Sequence, residues 1–320
     1  MTNLLVLREQ LKKIYSKYEA YITPMTKFLL AFVALNTINQ AIGYMGALNN
    51  IAVVLILALT CSFMPWNTSV VVSAVVSLAH LYTFSMECAL VALAVYLLLF
   101  ILYFRFSPKG TLAVLLTPIC FALKIPYVMP IALGLIGTPS ATVALAGGVI
   151  VYYIIAFMNE SAPILNSYES DDMVEKFRFV IDGILGNKAM FVAVVAFVAT
   201  LVIVYFIRRL SVDYAWTIAI ITGTLLNIMI LLFGDLMFST NISIFGLIFG
   251  SLVSVLLVKV LEFFVFNVDY SRTEMVQFED DEYYYYVKAV PKNTVATPEK
   301  RVKTIRVPEK AVNHPKKDMR

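Results

Sequence analysis

The sequence predicts an all-α polytopic membrane protein, with about eight full transmembrane helices, a Pro-broken short helical pair and a short cytoplasmic tail. Three observations carry this. Apolar residues make up 60% of the chain and charged ones 14%, with a mean hydropathy of +0.83, far from the composition of a soluble domain. Several apolar runs reach the roughly 20 residues that a helix needs to cross about 30 Å of hydrocarbon. The runs are continuous rather than alternating, which favours helices over the strands of a barrel.

The first element is amphipathic. Leu4, Leu7, Leu11, Ile14, Tyr15, Tyr18 and Ile22 recur at three- and four-residue spacing, and Arg8, Lys12, Lys13 and Lys17 fill the other face. This predicts a membrane-surface helix over residues 1–23, punctuated by Pro24. Full spans are expected at 27–46, 50–65, 68–85, 87–105, 139–158, 189–208, 213–235 and 241–266. Residues 24–158 thus form a first bundle and 189–266 the last three spans. Basic residues cluster before span one (Arg8, Lys12, Lys13, Lys17, Lys27), after span four (Arg105, Lys109) and after span six (Arg208, Arg209). The positive-inside rule then puts both termini in the cytoplasm.

Residues 111–138 interrupt this regularity. Two short apolar runs are broken by Pro118, Pro126 and Pro130 and followed by Pro139. Either they cross twice or they form a re-entrant hairpin dipping in from the cytoplasm. Broken apolar segments of this kind line cavities in transporters. They also occur as short tilted helices covered by neighbours. Lys124 lies at the tip. In a re-entrant hairpin it would sit at membrane depth and be functional. In a double crossing, the reading preferred here, it snorkels at the outer interface. Residues 159–188 form one sizeable outside loop. Asp172 and Glu175 suit a helix start. Met173, Phe177, Val180, Ile181 and Ile184 then give an apolar face, and Gly186 ends the helix.

Few side chains suggest chemistry. Asn36, Asn39 and Gln40 share one face of span one, which should point into the bundle, because an amide facing lipid is unsatisfied. That face is a polar seam between helices or a solute contact. His80 reads as a hydrogen-bonded packing residue, and Lys259 with Glu262 as an anchoring ion pair. Gly246, Gly250 and Ser254 allow a close helix approach. Cys61, Cys88 and Cys120 lie in apolar segments, away from any His cluster, so no metal or cofactor is expected. No P-loop, HExxH or GxSxG pattern is present, and no catalysis is expected. The net charge of +4 is a property of the basic C-terminal end, so no nucleic-acid partner is expected.

The tail, 267–320, changes character within a few residues. Glu279, Asp280, Asp281 and Glu282 form an acidic patch that an anionic leaflet would repel. Tyr283, Tyr284, Tyr285 and Tyr286 follow and lead into Val287, a run with high β propensity that Pro291 stops. A lone strand is not stable. Its partner would be the Thr304–Val307 run or the sheet edge of another protein; otherwise the tail is largely flexible. The basic residues from Lys300 to Arg320 suit anionic lipid. The tail is therefore the expected docking point for a cytoplasmic or membrane protein partner.

Two stretches, RRLSVDYAWTIAI (208–220) and FNVDYSRTEMVQFEDDEYYYYVKAVPK (266–292), resemble a group of multi-pass membrane proteins of clostridial-type Gram-positive bacteria often labelled ABC transporter permeases. The resemblance covers the later spans and the start of the tail, and the acidic–tyrosine block is its most specific part. It implies a bacterial inner-membrane protein and admits an ATPase subunit as partner. The chain departs from binding-protein-dependent permeases, because its inside loops at 105–110 and 208–213 are too short for the usual ATPase-docking element. Such coupling would fall to the N-terminal helix or the tail. The expected function is thus a membrane subunit or adaptor with a partner-binding tail, or else a permease-like subunit with a solute pathway near the broken helices.

Overall fold

The computed structural model describes residues 2–167, 173–266, 268, 270 and 273–292. Its elements run α1 (Thr2–Ile42), α2 (Ile51–Phe63), α3 (Trp66–Phe84), α4 (Met86–Phe106), α5 (Thr111–Ala122), α6 (Val128–Ile136), α7 (Ala141–Glu160), α8 (Ala162–Ser167), α9 (Met173–Leu185), α10 (Lys188–Ile207), α11 (Ala215–Phe238), α12 (Ile244–Val265), β1 (Glu274–Glu279) and β2 (Tyr284–Ala289). Among the described residues seven helices are long and apolar enough to cross a membrane, and the chain is a helical polytopic membrane protein. The span expected at 50–65 is the shorter α2, whose 13 residues rise only about 20 Å. Asn50 caps its start, its side chain accepting from the Ala52 N–H.

α1 divides at Tyr18 (φ −114°, ψ 20°), where two helical stretches meet across a kink, and not at Pro24 as expected, which lies inside the second stretch. A proline inside a helix removes a donor and crowds the carbonyl four residues earlier, and the bend lies in that region. The Pro24 carbonyl accepts from the Ser62 hydroxyl of α2 at 2.8 Å. Leu7, Leu11, Ile14 and Tyr15 are exposed, as a lipid-facing stripe requires. Arg8, from the expected polar face, is 5% exposed, and its Nε donates to the Phe264 carbonyl at 3.2 Å. The beginning of α1 and the end of α12 therefore share one face of the molecule, here the hairpin face. The opposite face is the far face.

Residues 111–136 are a re-entrant hairpin rather than the preferred double crossing. α5 has 12 residues and α6 has nine, so the arms rise about 18 and 14 Å against roughly 30 Å of hydrocarbon. Both arms are anchored on the hairpin face. Thr111 bonds to Asn67 and Tyr103, and the Arg208 guanidinium caps α6 through the Leu135 and Gly137 carbonyls. The tip stops short of the far face. A Cβ on Gly250 would come within 2.9 Å of the Tyr127 ring and 3.4 Å of the Lys124 carbonyl oxygen, and Gly250 is six residues, about 9 Å, inside α12. Gly148 plays the same part for α5, where a Cβ would meet Thr117 at 2.8 Å. These glycines let helix backbones close on the hairpin.

Two groups of helices flank it. The ends of α1, α3, α4, α7 and α9 share one apolar core that includes Leu81, Ala92, Ile154 and Met158. α5, α6, α7, α10, α11 and α12 share two more, around Phe197 and Leu201 and around Ile131 and Ile220. On the far face α9 buries Val180 and Ile184, with Phe157 lying against Gly183, while Met173 and Ile181 of the expected apolar face are exposed. Asp172 lies outside the described residues.

Candidate functional site

Two places in the fold have the shape of a site. The first is a partly open cavity of about 330 Å³ lined by α1, α3, α4, α5 and α7. Its floor lies near the hairpin face, at Tyr103 and Val114. There the Tyr103 hydroxyl and Thr111 Oγ1 both donate to Asn67 Oδ1, at 2.8 and 2.7 Å, tying together the ends of three helices. At mid-depth Ser77 Oγ donates to the Tyr96 hydroxyl at 3.0 Å. Ser73 Oγ is buried without a partner. The remaining wall is almost wholly aliphatic and aromatic, and Pro118 of the re-entrant arm forms part of it. The far end is marked by Asn159 and Glu160, both exposed. α5 ends at Ala122, itself exposed, so above the hairpin tip that side of the cavity is not roofed by the re-entrant arm.

The polar residues picked from the sequence are split by the fold. Asn39 is buried, accepting from His80 Nε2 at 2.8 Å and donating to the Leu48 carbonyl at 2.8 Å. The Met45 N–H donates to His80 Nδ1 at 3.0 Å. That bond requires a lone pair on Nδ1, so the ring proton sits on Nε2 and the imidazole is neutral. The pair pins the 43–50 loop and is a structural clasp. Asn36 and Gln40 are exposed instead, which corrects the expectation that all three amides face inward. A 100° step per residue puts Ala34, Ile38 and Ala41 toward the cavity and turns Asn36 and Gln40 away from it. Lys124 is exposed at the hairpin tip and does not line the cavity. Lys259 and Glu262 pair at 2.7 Å and share Thr217. Gly250 of the small-residue series packs within the chain, while a Cβ on Gly246 would meet only Ser243. Cys61 and Cys88 are buried, and among the described residues no group of His, Cys, Asp or Glu is placed to hold a metal.

The cavity's own polar groups were missed. Ser69, Ser73 and Ser77 recur every four residues in α3, a stripe visible in the sequence as a seam of small residues. Nothing local marks Tyr96 or Glu160, because each acquires its role from a helix distant in sequence.

The second place is the hairpin of the tail. The tyrosine run does form a strand, but its partner is β1, immediately before it, in the register Glu274↔Ala289 to Glu279↔Tyr284. The Thr304–Val307 run, one of the partners expected for it, lies outside the described residues, as does the basic end from Lys300. The acidic cluster makes the turn. Asp280 Oδ1 accepts from the N–H groups of Glu282 and Tyr283 at 2.9 and 2.7 Å. The Tyr285 hydroxyl donates to Asp280 Oδ2 at 2.8 Å. These bonds, that of Tyr285 first, hold the Asp280 carboxyl below the usual carboxylate range, and the same bond pushes the Tyr285 phenol up. Phe278 stacks on Tyr285 directly across the strands, with centroids 4.9 Å apart. Val276, Phe278, Tyr285 and Val287 line one exposed apolar face. On the other face Lys288 reaches Asp213 of the α10–α11 loop at 2.6 Å. Trp216 stacks on Phe266 below, with centroids 4.5 Å apart. The hairpin is thus moored to the bundle and has an apolar face that no other described residue covers.

No protein-family model, curated protein or solved structure matches the chain.

Proposed function

We propose that this membrane protein is a non-catalytic subunit that recruits a second protein through its tail hairpin. The observation that carries the reading is the exposed apolar face of β1 and β2, from Val276 to Val287, on a sheet that has two strands and no further one at either edge among the described residues. A two-stranded sheet is marginal by itself, and its unpaired edges offer N–H and C=O groups to a further strand. A partner adding a strand would extend the sheet, and a second layer of that partner would bury the apolar face. The clustering of Lys and Arg at Arg8, Lys12, Lys13, Arg208 and Arg209 supports a cytoplasmic hairpin face. The resemblance to a clostridial-type group supports a bacterial plasma membrane, with an ATPase among the candidate partners. A photo-crosslinking residue at position 278 of the full-length protein in its native membrane tests this. A discrete adduct with one protein is expected. Adducts only with lipid, or only with the protein's own residues 293–320, would sink the reading.

The re-entrant hairpin beside a cavity favours a second reading, a transport subunit. It predicts that the reconstituted protein moves a solute and that Pro118→Ala, which reshapes the cavity wall, alters the rate. Unchanged flux in that variant argues against it.

A further inference from the structure

We propose that the cavity is a binding site for one hydrocarbon chain of an amphiphile whose cationic amine head sits at Glu160. Shape comes first. The lining residues on α7 run from Val143 to Glu160, a rise of about 26 Å along the helix, so a volume of about 330 Å³ is long and narrow. An apolar cavity of roughly 150 Å³ accommodates benzene; this one is about twice as large and drawn out along the membrane normal, the form of a single chain and not of a compact solute. The wall is hydrocarbon apart from isolated hydroxyls. Ser77 is already bonded to Tyr96, and a change of rotamer returns Ser73 to a carbonyl of its own helix, as serines in helices commonly do. Neither requires a polar ligand at mid-depth.

Access and charge specify the rest. α5 stops at Ala122, so a chain can enter sideways from the bilayer over the hairpin tip, with no passage through water. Among the described residues Glu160 is the one charged residue lining the cavity, and no Lys, Arg or His lines it. Glu160 is exposed, and it makes no ion pair among the described residues. The rim therefore attracts an ammonium and repels a carboxylate or phosphate, while Asn159 offers the head an additional donor and acceptor. With the head at Glu160, the chain end reaches the floor at Tyr103 and Val114. This site is independent of whatever docks on the tail hairpin.

The test uses the full-length protein in phosphatidylcholine nanodiscs with two photoprobes, hexadecylamine and palmitic acid, each carrying a diazirine at the chain end. The amine probe should label Tyr103 or Val114, and excess unlabelled hexadecylamine should suppress the labelling. Palmitic acid should label these positions weakly. Glu160→Gln should weaken competition by the amine about fivefold, the worth of one rim ion pair, while leaving the fold intact, because its side chain is exposed. Labelling confined to Leu97, Leu98 and Ile101 on the lipid-facing side of α4 overturns the site. So does floor labelling that excess amine does not reduce. Equal labelling by both probes, unchanged in Glu160→Gln, overturns the assignment of the head.

Discussion

Lys124 occupies a backbone position that favours glycine. The Ile125 N–H bonds to the Cys120 carbonyl and the Lys124 N–H to that of Phe121, the paired closure of a helix C-terminus whose αL residue is ordinarily glycine. Lys124 holds φ at +61° there, and Pro126 two residues on forbids the helix from continuing. An L side chain in that region costs about 1 kcal/mol, and such strain persists most often where a site needs it. Lys124→Gly should therefore stabilise the purified protein by about 1 kcal/mol, read as a raised melting temperature in detergent. A lower melting temperature would mean that the lysine side chain itself holds the tip. The amides of α1 divide just as clearly. Asn39→Ala leaves the His80 Nε2–H and the Leu48 carbonyl without partners and should cost about 1–3 kcal/mol. Asn36→Ala and Gln40→Ala should fall within about 0.5 kcal/mol of the parent. The sequence reading grouped all three because spacing reports a shared face but not its direction; the direction is set by α2 and α3, which cover Asn39 and leave the other two open.

Elements show where local pattern suffices and where it does not. The long apolar runs became helices close to their expected limits, because hydrocarbon leaves a backbone no other partner. The amphipathic α9 could be read for the same reason: its periodicity states which face is buried. The shortness of α2 and the re-entrance of α5–α6 could not be settled, since a broken apolar run permits two topologies and only packing against Gly148 and Gly250 chooses between them. Arg208 also belongs to this scale. It appeared in the sequence only as a topogenic charge, yet it caps α6. Arg208→Ala should loosen the re-entrant arm, seen as faster amide exchange over Val128–Ile136, whereas Arg209→Ala should leave that exchange unchanged. The tail strand was legible from its tyrosines, but its partner was not. β1 reads EMVQFE, with three polar residues in six, and only the Asp280 turn brings it into register. That turn carries a pH dependence. A carboxyl held below its ordinary value of about 3.9 favours the folded turn above that value, and the contribution is lost as pH falls through the depressed one. Selective labelling of the Asp280 carboxyl carbon should show a midpoint below the ordinary aspartate range. Tyr285→Phe should move it back up. An unchanged midpoint would exclude the tyrosine bond as the leading cause.

At the scale of the whole molecule, the decisive feature is that the re-entrant hairpin enters and leaves on one face. It adds no crossing, so α7 starts on the side where α4 ended, and the start of α1 and the end of α12 lie on that same side. A double crossing would preserve that parity too, which is why charge bias alone could not distinguish the two. What differs is depth. With the tip about 9 Å inside the level where α12 begins, a thiol at position 124 lies within hydrocarbon or at its margin, where maleimide chemistry is slow because the thiolate is disfavoured. Asn50, exposed at the start of α2, and Lys109, exposed between α4 and α5, are the reference points for the far and hairpin faces. In sealed vesicles of each orientation, Asn50→Cys and Lys109→Cys should react with a membrane-impermeant maleimide from opposite sides. Lys124→Cys should react much more slowly than either, and from the far side when it reacts at all. Cys61 and Cys88 are buried and contribute little background, and Cys120 is removed by substitution. Reaction at 124 as fast as at 50 would restore the double crossing. It would also put a complete pair of helices where the open side of the cavity is, closing the lateral route by which a lipid chain enters.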